Sequence, residues 1–286
     1  MQAGDRIIDL SIPKVMGILN TTPDSFSDGG RLQSGDGRGG FRVSVDKALS
    51  AAEAMVSAGA AIIDVGGEST RPGAAVVSGQ EEVDRVVPVV AAIRERLDVL
   101  ISVDTSTPRV ISESLAAGAG LINDVRALTV PGALEAVANG SAAVCLMHMR
   151  GQPRTMQEEI VYDDVVGEVY SFLQQRMRDC EAAGIAAERI VLDPGFGFGK
   201  TVMHNYQLLA GLGRFQTLQA PLLVGISRKS MIGQVVERPV KERLAGTLAA
   251  TVYALQAGAS IIRTQDVGAT LDVIRIHGAM AGVHSK

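Results

Sequence analysis

Short runs of β-branched and other apolar residues alternate along this chain with longer stretches in which apolar positions recur at helical spacing. The short runs at 15–19, 61–65, 100–103, 120–122, 143–147, 190–192, 222–226 and 261–262 predict strands. The longer stretches at 45–58, 81–97, 108–117, 163–183 and 241–257 predict amphipathic helices. Uninterrupted strand–helix repetition predicts a parallel sheet, because parallel strands need a crossover and a helix is the compact way to make one. About eight such repeats in 286 residues favour closure into a (β/α)8 TIM barrel over an open doubly wound sheet. The expectation is an α/β fold with a single barrel domain over residues 1–286, its last stretch, 275–286, forming a loose C-terminal tail.

The two ends of the repeats read differently. Ala-Gly-Ala at 58–60 and 257–259, and Ala-Gly-Ala at 117–119, each place a glycine where a helix stops and a strand starts. Glycine takes the left-handed conformation that closes a helix C-terminus, so these are structural punctuation at the barrel bottom. The other strand ends run into polar groups: Asn20, Gly66-Gly67-Glu68, Asp104, Asn123-Asp124, His148, Asp193, Ser227-Arg228-Lys229 and Arg263. In a barrel those ends converge on one cavity, so the pattern predicts an active site at the C-terminal ends of the strands.

Composition narrows the ligands. The chain is 47% hydrophobic and 20% charged, with 3% aromatics and no Trp, a mix suited to buried parallel strands under close-packed helices. Its 27 Lys and Arg against 31 Asp and Glu give a net charge of −4, which is no footprint for nucleic acid. An anionic ligand must therefore be held by a few local cations. Cys145 and Cys180 stand far apart without metal spacing and are expected as reduced thiols of a cytoplasmic protein. No signal peptide or membrane-length apolar run is visible, and the four histidines show no ligand spacing.

Four segments carry candidate chemistry. The loop Asn20-Thr-Thr-Pro-Asp-Ser-Phe26 is polar apart from Phe26, which reads as a contact for a flat ligand, and Asn20 offers a neutral oxygen. Gly66-Gly67-Glu68-Ser69-Thr70-Arg71-Pro72 combines small residues with donors suited to phosphate oxygens. Asp193-Pro194-Gly-Phe-Gly-Phe198-Gly-Lys200-Thr201 imitates a nucleotide loop, but Pro194 stands where a P-loop needs glycine and Lys200 where a dinucleotide fingerprint needs its third. It is expected to hold two Phe rings beside Asp193, whose carboxylate suits the two parallel N–H groups of an amidine-like edge. Ser227-Arg228-Lys229-Ser230 and Arg263-Thr-Gln265 bring cations to the last two strand tops, where barrels commonly hold phosphate.

As a set, GILNTTPDSFSDGG, IDVGGESTRPGA, SVDTS, INDVRAL, LMHMRG, LDPGFGFGK, GISRKSMIG and the final IIR resemble bacterial dihydropteroate synthases of the pterin-binding family, over nearly the whole chain. The resemblance implies a transferase that condenses 6-hydroxymethyl-7,8-dihydropterin pyrophosphate with p-aminobenzoate to 7,8-dihydropteroate and pyrophosphate, a folate-pathway step and sulfonamide target. It implies pterin contacts from Asp104, Asn123, Asp193 and Lys229, and pyrophosphate contacts from Arg263, Gln265 and the Thr70-Arg71 loop. Asp104, Lys229 and Arg263 would act as catalytic residues. Asn20 would contact Mg²⁺, the implied cofactor, and Phe26, Arg71, Pro72, Phe198 and Ser230 would shape the p-aminobenzoate pocket. A homodimer built through barrel helices is also implied.

Two features depart from the family pattern. Gln265 stands where a histidine is usual, and the stretch 33–40 is longer and richer in glycine than expected. Two other readings share the acids: a methyltransferase using methyltetrahydrofolate, which would give the Thr70-Arg71 and Arg228-Lys229 cations no anion to hold, and a pterin-binding protein without catalysis.

Overall fold

A computed structural model of the chain describes residues 1–22, 43–68, 77–151, 156 and 160–284. Eight parallel strands close into a barrel: β3 (Lys14–Asn20), β4 (Ile62–Gly66), β5 (Leu100–Asp104), β6 (Leu121–Asp124), β7 (Ala143–Met147), β8 (Ile190–Asp193), β9 (Leu222–Val224) and β10 (Ala259–Thr264), with β10 pairing back onto β3. Around them run α1 (Val45–Ser57), α2 (Gly79–Arg96), α3 (Pro108–Ala116), α4 (Ala133–Ala138), α5 (Val165–Ala182), α6 (Val202–Ala210), α7 (Ser230–Val236), α8 (Leu244–Gln256) and α9 (Val267–His284). The expected (β/α)8 barrel is the fold. The stretch expected to be a loose tail from 275 forms the last turns of α9 as far as His284.

The helices start where side chains satisfy the first backbone N–H groups. Ser44, Ser78, Asp164 and Thr201 each accept a hydrogen bond from the N–H three residues on. At Thr201 the cap is reciprocal, with His204 turned back to the cap residue, so that histidine is a capping group. The glycines expected to end helices do so: Gly59 has φ +100° and Gly118 +110°. A β-carbon on Gly59 would also lie 2.4 Å from Leu271 of α9, so close packing and the left-handed turn both require glycine there.

Strand period two sorts the side chains. Val15, Ile63, Val65, Ile101, Val103, Ile122, Val144 and Leu192 face outward into the core shared with the helices. Met16, Ile62, Leu100, Leu121, Ala143, Val191, Leu223 and Ile261, one from each barrel strand, face inward and pack as a separate apolar layer. Beneath that layer lies a hairpin not anticipated from the sequence, β1 (Gln2–Ala3) paired antiparallel with β2 (Arg6–Ile7). Its Ala3 is fully buried against the inner layer, with Met1, Ile8 and Leu10 packed alongside, and it stoppers the barrel bottom. Among the described residues this closes the floor of the lumen and leaves the C-terminal rim as its open end.

Candidate active site

Two residues beyond the apolar layer, the same inward-facing register turns polar. On β4 the residue after Ile62 in register is Asp64; on β5 Leu100 gives way to Ser102 and Asp104; on β6 Leu121 to Asn123; on β8 Val191 to Asp193; and on β10 Ile261 to Arg263. Asp64 is fully buried and accepts from Ser102 Oγ at 2.6 Å, Asn123 Nδ2 at 3.1 Å and Arg263 Nε at 2.6 Å. Arg263 also donates from Nη2 to Asp104 at 2.9 Å. One guanidinium thus clamps two carboxylates across the lumen, and burying these charges is tolerable only because they are paired.

The pairing leaves clear electrostatic marks. Burial pushes Asp104 up to about 7, against the pull of Arg263 and with the push of Asp64. Burial also raises Asp193, although Lys229 and the Gly195 N–H, 2.7 Å from its Oδ1, favour the carboxylate. Lys229 is pushed down to about 8 by burial, with Asp193 opposing, and the flanking carboxylates keep the Arg263 proton firmly in place. Asn123 Oδ1 is buried with no hydrogen-bond partner, an acceptor that awaits a donor.

The glycine loop after β8 builds the adjoining wall. Lys229 Nζ donates to Phe196 O at 2.5 Å and lies 4.6 Å from the centre of the Phe198 ring, a cation–π arrangement. The expectation of two Phe rings beside Asp193 holds for one of them. Phe198 is partly exposed over Lys229, whereas Phe196 is fully buried in the core shared with the helices. Lys200, read from the sequence only as a mismatch to the dinucleotide fingerprint, is buried beneath this loop. Its Nζ donates to Gly195 O at 2.8 Å, to Phe198 O at 3.1 Å and to His148 Nδ1 at 3.0 Å, tying the loops after β7 and β8 together. Burial lowers Lys200 to about 7 and His148 to about 2, so the histidine is a neutral acceptor.

Asp104, Asn123, Asp193, Lys229, Arg263 and Phe198 are therefore brought to one rim, as expected. Asn20 joins them: its Oδ1 and Asp104 Oδ2 both lie within about 4 Å of the point where Gly66 would carry a β-carbon, at 3.7 and 4.0 Å. Ser230 begins α7 in an exposed position, and Gln265 is exposed on the loop after β10, its backbone N–H donating to Ser227 Oγ at 3.2 Å. Phe26, Thr70, Arg71 and Pro72 lie outside the described residues, as does the stretch 33–40.

Two cations expected at the strand tops part company. Lys229 faces the cavity, but Arg228 does not serve an anion: it forms a two-bond pair with Asp266, 2.7 and 2.8 Å, and donates to the carbonyls of Val240 and Lys241. Asp124 likewise turns away, accepting from Ser106 Oγ and from the N–H groups of Arg126 and Leu128 to cap its own turn. Asp64 is the residue that sequence reasoning missed. The usable signal was a lone carboxylate in a buried apolar strand, in the same register as Ile62 and Gly66.

Sequence and structure comparisons place this geometry among known proteins. The pterin binding enzyme family matches residues 16–265. The dihydropteroate synthase of Escherichia coli K12 is 56% identical over 269 residues, covering 94% of this chain and 92% of that protein. The Yersinia pestis dihydropteroate synthase, solved with a sulfonamide drug complex, superposes with a TM-score of 0.90 at 53% identity, over 99% of both chains. The Burkholderia cenocepacia dihydropteroate synthase complexed with 7,8-dihydropteroate superposes at 0.88 with 43% identity, over 100% of this chain and 98% of the other. By family match, identity and superposition over nearly its whole length, this chain belongs to the dihydropteroate synthase family of pterin-binding transferases.

Proposed function

We propose that the rim condenses 6-hydroxymethyl-7,8-dihydropterin pyrophosphate with p-aminobenzoate, forming 7,8-dihydropteroate and releasing pyrophosphate. The observation that carries this reading is the wall of acceptors at the lumen top, Asp104, Asp193 and the partnerless Asn123 Oδ1, standing beside the cations Lys229 and Arg263. Acceptors suit the N–H-rich edge of a 2-amino-4-oxo pteridine, and cations beside them suit the pyrophosphate it carries. The Burkholderia relative's complex with 7,8-dihydropteroate supports the same ligand class.

The chemistry follows from charge placement. As the pyrophosphate leaves, positive charge develops on the pterin methylene and spreads into the ring. Asp104 and Asp193, buried and preorganised, favour that electron-poor ring without reorganising. Arg263 has five N–H donors and spends two on Asp64 and Asp104, so others remain for phosphate oxygens. Lys229, held by Phe196 O and the Phe198 ring, is aimed beside Asp193 and stays protonated at neutral pH. The aniline nitrogen then attacks a carbon already cationic, so no strong base is required.

Asn20 suits Mg²⁺. It supplies a hard oxygen, with Asp104 Oδ2 close by over the bare Gly66, and among the described residues no group of three or more His, Cys, Asp or Glu is set to hold a metal. Such a site fits a cation held mainly by phosphate oxygens and water. When bound, Mg²⁺ would neutralise the leaving pyrophosphate. Thr70, Arg71 and Gln265 are assigned to the same anion, and Phe26, Pro72, Phe198 and Ser230 to the p-aminobenzoate pocket, where sulfonamides compete.

The protein is further assigned to the cytoplasm, where its buried free thiols Cys145 and Cys180 stay reduced. It is assigned as a homodimer, supported by exposed apolar side chains on neighbouring helices, Tyr253 on α8 and Ile276 and Met280 on α9. A coupled assay decides the function: pyrophosphate release that depends on p-aminobenzoate and Mg²⁺ is expected. Methyl transfer from methyltetrahydrofolate to a cobalamin protein, without pyrophosphate release, would replace this reading.

A further inference from the structure

One carboxylate in the lumen bonds to three of the strands that make the wall. Asp64 is fully buried on β4, at the level between the apolar floor and the rim. It accepts from Ser102 on β5, Asn123 on β6 and Arg263 on β10. A carboxylate beside a guanidinium is acceptor-only. Whatever faces it must therefore donate, and for Asn123 only the NH₂ end can do so.

That constraint decides the other end of the amide. With Nδ2 committed to Asp64 at 3.1 Å, Oδ1 is turned away from it, and Oδ1 is the buried atom without a protein partner. Were the amide reversed, Oδ1 would meet the Asp64 oxygen and the wall would present a donor instead. Neither Asp104 nor Asp193 constrains the flip in this way, because each is bonded elsewhere, to Arg263 and to the Gly195 N–H.

We propose that Asp64 is a specificity-determining positioning residue: it locks the Asn123 amide with its oxygen presented to the ligand, so that the pocket selects rings that offer N–H donors. It touches no ligand itself and acts through Asn123. Its second bond, to Arg263 Nε, fixes the guanidinium so that the arginine's remaining donors are left for the anion. The ring class rests on the pterin reading of the site, whereas the amide lock does not.

Two measurements separate those layers. The first needs no ligand and no variant of Asp64. In the unmodified protein labelled at its four asparagines, the Asn123 side-chain NH₂ signal, identified by its loss in Asn123→Ala, should be protected from exchange with solvent. Rapid exchange would overturn the lock whether or not the protein binds pterins, and whether or not any Asp64 variant folds. The second compares binding of a 2-amino-4-oxo pteridine with that of its 4-oxo counterpart, in which a hydrogen replaces the donor amino group. Sites built to bond an N–H reject analogues that lack it, so the native protein should strongly prefer the amino ring. Asp64→Asn frees the Asn123 amide to turn, and the preference should shrink tenfold or more. In an Asn123→Ala background the same substitution should leave the preference unchanged. Equal weakening of both rings in Asp64→Asn, with the ratio intact, would reduce Asp64 to a partner for Arg263 and contradict the proposal. Failure of the native protein to bind either ring, with the Asn123 NH₂ still protected, would instead overturn the pterin reading and with it the proposed ring selection.

Discussion

The lumen of this barrel has two levels built from the same strands in the same register, and they do opposite work. The lower level, from Met16 to Ile261, is apolar and sealed by the β1–β2 hairpin. The upper level, reached one inward position later on several strands, holds Asp64, Ser102, Asn123, Asp193 and Arg263. Asp64, Ser102, Asn123 and Asp193 are buried nearly as completely as the floor, and only Arg263 among these five stays partly exposed. What differs is the currency of stabilisation. The floor gains about 1.5–3 kcal/mol per buried aliphatic side chain, whereas the upper level offsets a large desolvation cost by pairing charges and gains little net stability. The upper level is retained because a dry, preorganised set of charges acts on a ligand more strongly than the same charges in water.

If the two levels are separable, substitutions should break activity and stability independently. The largest effect is expected at Lys229. Lys229→Met should lower kcat/KM for dihydropteroate formation by about a thousandfold, in the range seen when one preorganised transition-state contact is removed. Its melting temperature should stay equal or rise, since a buried cation with Nζ at Phe196 O is replaced by an apolar chain of similar size. A large loss of stability with activity retained per folded molecule would reverse the assignment of levels.

The floor should respond in the opposite sense. Leu121→Ala, at a fully buried position of the inner layer, should cost about 2–5 kcal/mol of unfolding free energy by denaturant titration. Turnover of the molecules that remain folded should change by less than about threefold. A thousandfold loss of turnover would mean that the floor takes part in chemistry.

The pH profile sharpens the comparison within the upper level. Asp104 is pushed up to about 7, so lowering pH through neutrality protonates it and removes the charge that favours the electron-poor ring. Lys229 is pushed down to about 8, so raising pH beyond that value removes a cation from beside the anion. Turnover efficiency should therefore be bell-shaped, falling about tenfold per pH unit on each limb. The acid limb should vanish in Asp104→Asn and the alkaline limb in Lys229→Met; a profile flat from pH 6 to 9 would remove both assignments.

The smallest effect is expected at the exposed Gln265. Gln265→His should be tolerated, with pyrophosphate binding equal or a few-fold tighter and newly dependent on pH near 6.5, because an imidazole can add a charge that the amide lacks. A large loss of activity would show that the amide makes a contact that histidine cannot.

The barrel and much of its rim were legible because both are periodic. Apolar runs of strand length gave all eight barrel strands, and the residue at each run's end gave Asp104, Asn123, Asp193 and Arg263. The hairpin was invisible, since two-residue strands have no period to detect. The helices α4 and α7 span only six and seven residues, too few turns for an amphipathic face to stand out. Asp64 hid inside the apolar run 62–65, where position matters more than residue type. Arg228 was misread because its partner, Asp266, lies 38 residues away, and only the fold brings the two together.

The central claim is that the upper level drives a displacement in which pterin and p-aminobenzoate are joined as pyrophosphate departs. Its most direct test is stoichiometry: single-turnover mixing of the protein with dihydropterin pyrophosphate, p-aminobenzoate and Mg²⁺, with both products quantified. One dihydropteroate per pyrophosphate, at matching rates, is the expected result. Pterin pyrophosphate bound at the rim with no dihydropteroate formed, or pyrophosphate released without it, would contradict the account.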